Sequence, residues 1–312
     1  MDCITLGEPL ICFDSGQQPL DAASVVQKYV VGAESNVAIG LARLGRSVAY
    51  IGRVGSDSLG REIRRTLRGE GVDASGLVVA ASAPTGVLLK ERSTAGRTEV
   101  TYHRAGSAGS TLSVADLPAR FAGIRRLHVT GITLVLSPAA RRAALEAMRR
   151  ARADGCRVSL DANFRRKLAP APTLVDTFEE AAGLADEILL GRGEAALCAG
   201  SDDDAALEEY ARSLSAETVV LKGVGGGASA FARHERIELE PGTVPVVDAV
   251  GAGDGFAVGF LHALLDGAPI VDALELAGRV AARVVSTQGD YQGLPYAEDL
   301  LSEPARERMV LR

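Results

Sequence analysis

The chain has 312 residues, 47% of them hydrophobic, enough for one large domain with a small appendage and a sizeable core. Aromatic residues supply only 4% and tryptophan is absent, so that core must be aliphatic. The formal net charge of −6 argues against a nucleic-acid or anionic-membrane surface. Cys3, Cys12, Cys156 and Cys198 lie far apart without metal-type spacing, as expected of reduced thiols in a cytoplasmic protein. No secretory signal is expected from the opening residues, and no apolar stretch approaches the length of a membrane span.

Short apolar runs alternate with helical patterns, the signature of a parallel sheet with crossover helices. Residues 3–6 read as a strand ending at Gly7. Residues 9–31 lack a helical period and read as a strand pair. Residues 34–44 predict a helix with Val37, Leu41 and Leu44 on one face and Gly45 as its stop. A strand at 48–51 precedes an amphipathic helix at 57–68 carrying Leu59, Ile63 and Leu67. Residues 85–91 and 98–104 flank Ser-Thr-Ala-Gly-Arg at 93–97, the composition of a hairpin turn. Strands at 127–130 and 157–160 bracket a helix capped by Ser137, opened by Pro138 and ended at Gly155. Strands at 188–190 and 218–221 and helices at 252–266 and 271–286 complete the series. The whole predicts a Rossmann-like three-layer α/β/α domain built from 1–8, 32–84 and 106–312. Segments 9–31 and 85–105 would insert into it a small β-sheet lid; the alternative is two edge hairpins with no lid role.

In such sheets ligands bind beyond the carboxyl ends of the strands. Asp161, Asn163 and Arg165 follow one strand, Glu194 follows another, and a glycine-rich loop, Lys222-Gly223-Val224-Gly225-Gly226-Gly227, follows a third. The most telling stretch is Gly251-Ala252-Gly253-Asp254, where a small-residue turn opens a helix striped by Phe256, Phe260 and Leu264. Backbone N–H groups at a helix start attract anions, so a carboxylate there is misplaced for anion binding alone. It suits a base beside an anion hole, which is what phosphoryl transfer to a hydroxyl requires. The other reading is a glycine-rich cap whose Asp254 merely favours the helix dipole. An NAD-dependent oxidoreductase is disfavoured, because no Gly-x-Gly-x-x-Gly follows the first strand.

Residues 248–256, Asp-Ala-Val-Gly-Ala-Gly-Asp-Gly-Phe, resemble the Asp-Thr-x-Gly-Ala-Gly-Asp-x-Phe signature of the ribokinase-like (PfkB) carbohydrate kinases, with Ala249 in place of Thr. Gly32-Ala33-Glu34-Ser35-Asn36-Val37-Ala38 and Gly52-Arg53-Val54-Gly55 resemble that family's N-terminal signature. Four stretches are similar to its 2-keto-3-deoxygluconate kinases: 102–108 around Tyr102 and Arg104, Gly131-Ile132-Thr133, 161–168 from Asp161 to Leu168, and 289–296 from Gly289 to Tyr296.

The resemblance implies a ribokinase-like fold and an ATP- and Mg²⁺-dependent sugar kinase, a monovalent cation being a further cofactor to consider. It implies that Asp254 acts as base and that Gly251, Ala252 and Gly253 help form the anion hole. The sugar would meet Gly32, Ala33, Asn36, Tyr102, Arg104, Ile132 and Arg165, the two arginines holding a substrate carboxylate with directed donors. Lys222, Gly223, Gly225, Gly227, Gly251 and Gly253 would face the nucleotide, and Glu194 would order Mg²⁺ through water. The partners implied are the sugar and ATP, not nucleic acid or membrane; the exposed edges and apolar faces of the lid strands predict a homodimer or a larger homo-oligomer through the lid. Val224, Gly191 and Gly278 depart from the family's usual residues on the nucleotide side, and Leu88 stands where the look-alike kinases often carry Tyr. Two alternatives stay open: a fructokinase- or ribokinase-type enzyme for a neutral sugar, and a catalytically weak sugar- or nucleotide-binding protein. His128, inside a strand, is expected in the core, and His103, alternating with Tyr102 and Arg104, faces away from the sugar.

Overall fold

The computed structural model describes residues 1–92, 98–232, 235–242 and 244–302. The large sheet takes β1 (Cys3–Gly7), β4 (Val48–Gly55), β5 (Leu77–Ala80), β8 (Arg126–Thr130), β9 (Arg157–Asp161), β10 (Glu187–Gly191), β11 (Thr218–Lys222), β12 (Ala228–Ala232) and β13 (Glu235–Leu239). Their order is β13-β12-β11-β10-β9-β8-β1-β4-β5, parallel from β11 to β5, with β12 and β13 added antiparallel. A second, four-stranded sheet has the order β3-β2-β6-β7, from β2 (Leu10–Asp14), β3 (Gln27–Val31), β6 (Val87–Arg92) and β7 (Thr98–His103). It is the strand pair of 9–31 joined, through a parallel β2–β6 pairing, to the strand pair of 85–105. The hairpin turn expected at 93–97 lies outside the described residues.

Alternation along the strands explains why both faces of the large sheet carry helices. Val48 and Tyr50 join one apolar cluster with Leu189 and Val220; their neighbours Ala49, Ile51, Ile188, Leu190, Val219 and Leu221 join the other. The first face is covered by α1 (Ala33–Arg43), α2 (Ser58–Gly69), α8 (Ala252–Leu265) and α9 (Ile270–Val285). Helices α4 (Pro138–Ala153), α5 (Ala171–Ala182), α6 (Arg192–Ala199) and α7 (Asp204–Ser213) cover the second, and the one-turn-scale α3 (Gly131–Leu136) leads into α4. A short α10 (Ala297–Ser302) follows.

The predicted caps are local chemistry made visible. Ser137 Oγ accepts the Ala140 N–H ahead of Pro138, and Asp57 Oδ1 accepts the Gly60 N–H at the start of α2. α8 and α9 pack with almost no side chain between them: a Cβ on Gly259 would lie 2.7 Å from the Ala277 Cα. That close pairing buries α8 nearly all round and leaves only its amino end free to meet a ligand. His128 is in the core as expected, 1% exposed, its Nδ1 3.1 Å from Ser159 Oγ. Burial, outweighing nearby Asp161, lowers its pKa to about 4.

Candidate active site

The carboxyl ends of the large sheet and the inner face of the small one enclose a cavity of roughly 470 Å³, within the usual range for small-ligand sites. Asp254 stands at its floor, on the first turn of α8, and is 7% exposed. Asn36 Nδ2 donates to its Oδ2 at 2.7 Å, and Asn163 Nδ2 approaches Oδ1 at 3.4 Å. Asn163 sits at φ +40, a left-handed conformation that asparagine tolerates better than most residues. That turn places its amide on Asp254 and its successor's N–H on Glu194. Burial pushes the Asp254 carboxyl above the usual aspartate range; Asp161 pushes the same way, while Asn36, Arg165 and Lys222 pull back.

Gly251 precedes α8 in the left-handed conformation, φ 80 and ψ −6. The N–H groups of Ala252, Gly253 and Asp254 are among the first of the helix, have no intrahelical acceptor and lie at the positive end of its dipole. A carboxylate with raised pKa thus stands beside an array of anion-directed donors.

Around this floor the charges are mostly paired. Lys222 Nζ donates to both oxygens of Asp161 at 2.7 Å; burial opposes its charge, but Asp161 and Glu194 hold its pKa up. Glu194 accepts the N–H groups of Phe164 and Gly191, one on each oxygen, at 2.6 Å. Its pKa is raised by burial and by Asp161, against Lys222. Arg104 Nε donates to Glu8 Oε2 at 2.6 Å, and its guanidinium lies 5.4 Å from the Tyr102 ring centre. Lys90, from the small sheet, pairs with Asp248. Burial, and then the neighbouring Asp254 and Asp248 against Lys90, push Asp290 up to about 7. Among the described residues lining the cavity, Arg165 is the cation with no carboxylate in ion-pair range, and it is exposed.

Most of the expected site residues converge. Gly32, Ala33, Tyr102, Arg104, Ile132 and Arg165 line the cavity, as do Gly251, Ala252, Gly253, Lys222 and Glu194. Asn36 is not among the residues that line the cavity; at 1% exposure it lies directly behind Asp254, to which its amide donates. Arg104 arrives already engaged by Glu8.

Gly223, Gly225 and Gly227 lie outside this cavity, in a tight turn where Gly223 N–H bonds Gly227 O and Gly225 O accepts the Gly242 N–H. The departure at Gly278 has a packing reason there, since a Cβ would meet Leu239 at 2.9 Å and the Gly226 carbonyl at 3.1 Å. At Gly191 a Cβ would stand 3.2 Å from Glu194 Oε2. His103 is exposed, and Leu88 faces the cavity.

Sequence reasoning missed Glu8, Glu34, Lys90 and Asp290 in the wall. Glu34 is 1% exposed, and one of its oxygens accepts both Thr130 and Thr133 hydroxyls at 2.6 Å; burial raises its pKa. It stands inside the quoted 32–38 motif, so the signal was a carboxylate among small residues at a helix start.

The sequence pattern of the pfkB family carbohydrate kinases matches residues 4–297. The chain is 38% identical over 315 aligned residues to the 2-dehydro-3-deoxygluconokinase of Bacillus subtilis (strain 168), covering 99% of this chain and 97% of that protein. It is 36% identical over 279 residues to the fructokinase of Klebsiella pneumoniae, covering 86% and 90%. Among solved structures, the aminoimidazole riboside kinase of Salmonella enterica, complexed with aminoimidazole riboside and an ATP analog, superposes with a TM-score of 0.85 at 26% identity, covering 97% of this chain and all of that one. The glycine turn, the buried carboxylate at its mouth and this full-length similarity agree: the chain belongs to the pfkB family of carbohydrate kinases, and it is a sugar kinase with the ribokinase-like fold.

Proposed function

We propose that this kinase transfers the γ-phosphoryl group of ATP to the primary hydroxyl of 2-keto-3-deoxygluconate, also called 2-dehydro-3-deoxygluconate, or of a close keto-sugar acid. The observation that carries the choice of an acid is Arg165. Its guanidinium opens onto a cavity whose other cations are paired to protein carboxylates, so it has donors left for a ligand carboxylate. The B. subtilis relative supports the same choice.

Asp254 accepts the hydroxyl proton as attack begins, its raised pKa making it a stronger base than an ordinary aspartate. The N–H groups at the start of α8 stabilise the charge on the transferring group. Asn36 and Asn163 keep the carboxylate aimed. The small sheet acts as a lid that excludes water, and the turn at 223–227 flanks the nucleotide.

The donor set fits Mg²⁺ held mainly by phosphates and water. No group of three or more metal-ligating side chains gathers among the described residues, and Glu194 lines the cavity with a carboxylate already fixed by two backbone N–H groups. When bound, the ion would neutralise phosphate charge, and Glu194 would hold it through water.

Arg165→Ala is expected to raise KM for the sugar acid by roughly 10- to 100-fold, the size of one lost charged hydrogen bond, and to leave KM for fructose little changed. Steady-state kinetics on both sugars check this; an equal effect on both removes Arg165 from carboxylate recognition. The fructokinase relative keeps a neutral sugar as the second reading. Exposed Val25 and Val26 ahead of edge strand β3 support a homodimer through the small sheet. Sedimentation velocity at micromolar concentration should give a dimer, and a monomer would refute it. The reaction and the spaced cysteines support a cytoplasmic protein.

A further inference from the structure

Among the described side chains of β6, Lys90 is the charged one that lines the cavity. It shares a face with Leu88, two residues away, and with Tyr102 and Val100, their register partners on β7. At 5% exposure its ammonium is committed to other groups. It pairs with Asp248 in a short contact, lies 3.6 Å from Asp14 Oδ2 and 3.5 Å from Tyr29 Oη, and Tyr29 in turn donates to Asp14 at 2.8 Å. Asp14 and Tyr29 belong to the small sheet; Asp248 belongs to the large domain and opens the segment that ends at Asp254.

Asp248 is a hub for that segment. Its Oδ1 takes the Val250 N–H at 3.2 Å, and its Oδ2 lies 3.4 Å from the Gly289 N–H. The next residue, Asp290, packs its carbonyl against Gly251. One carboxylate therefore ties together the turn before α8, the segment that braces it and the ammonium of the small sheet. A buried ion pair is poor evidence of stabilisation, because hydrophobic residues of similar volume often serve as well or better. An inner face that already carries Leu10, Cys12, Val31 and Leu88 had that option.

We propose that Lys90 is a positioning residue for phosphoryl transfer: by pairing with Asp248 it seats the anion-hole turn, so that the hole is assembled only when the small sheet covers the sugar. The proposal rests on the kinase reaction but not on the choice of sugar acid. Without the ammonium, Asp248 is left buried and unpaired beside Asp290, and the turn loses its register with Asp254. ATP cleavage is thereby tied to closure over an acceptor, which limits transfer to water.

The test compares wild type with Lys90→Met, of similar length without charge, and with Lys90→Ala, on whichever sugar the wild type turns over. Lys90→Met should lose about 10²-fold in kcat, the effect of a roughly 1 Å misplacement, with KM for sugar and ATP little changed. Propylammonium should restore kcat to Lys90→Ala saturably, and 1-propanol, of the same length, should not, because a merely structural cavity would accept either. Should the single variants fail to fold, Lys90→Met/Asp248→Asn removes the lone buried charge, and the proposal expects a folded protein with the kcat deficit. Wild-type kcat in Lys90→Met or in the folded double variant overturns the proposal, as does equal rescue by amine and alcohol. A wrong choice of sugar acid would show instead in the wild type's own substrate range.

Discussion

Asp254→Asn is expected to cut kcat by about 10²–10⁴-fold, the range for loss of a positioned general base, while ATP binding stays close to wild type. The substitution keeps the shape of the side chain and an oxygen able to accept from Asn36, so the anion-hole turn has little reason to move. What is lost is the ability to take the hydroxyl proton. Quenched-flow turnover and nucleotide titration of the same preparation separate the two effects. Loss of ATP binding together with the fold would make Asp254 a structural cap.

The pH dependence carries a second signature of the same residue. Burial holds the folded-state pKa of Asp254 above its ordinary value of 3.8. The base must be ionised to act, so kcat should fall as pH drops through that raised pKa, and Asp254→Asn should lose this acid limb. Stability runs the other way. A carboxyl whose pKa rises on folding contributes most below the unfolded value, and the contribution is lost as pH climbs through the folded one. At neutral pH the charged, buried Asp254 therefore weakens the fold, and the asparagine variant should melt higher than wild type while turning over far less, the opposition expected where activity needs a strained site.

Much of this was legible in the chain because its signals are local. Ser137-Pro138 fixes the start of α4, Asp57 caps α2, and alternating apolar residues mark the strands whose two sides feed two clusters. The glycine turn before α8 is legible for the same reason: its conformation is set within a few consecutive residues. What escaped is non-local or weakly patterned. Helices α5 to α7 are rich in alanine, with Gly193 inside α6, and β12 and β13 are short and partly polar, so neither period stands out.

Partners across the fold are harder still. Nothing adjacent to Arg104 tells that Glu8, 96 positions away, will pair with it, or that the Asn36 amide will donate to Asp254. Lys90 was within reach, however. The parity that turns Leu88 toward the cavity turns Lys90 the same way, and a lysine on an inward face asks for a buried carboxylate.

Gly251→Ala should lower kcat by about 10²–10³-fold, the usual cost of spoiling donors aimed at developing charge. Gly251 holds φ 80, and a Cβ there would stand 2.5 Å from the Asp290 carbonyl oxygen, which is backbone and cannot swing aside. Either Gly251 leaves the left-handed region or the 289–290 segment retreats, and both shift the N–H groups at the start of α8. The strain itself should cost about 1–2 kcal/mol of stability, the penalty for a side chain in that conformation. Gly253→Ala is the control, since φ there is not positive and its Cβ would meet Lys222 Nζ at an ordinary 3.5 Å, so the fold should hold. The two large effects remain separable. The acid limb of Asp254 should persist in Gly251→Ala beneath a lowered plateau, because the base is intact and only the anion hole has moved. If Gly251→Ala keeps wild-type kcat with its melting temperature lowered, the turn braces the fold without stabilising the transferring phosphoryl group.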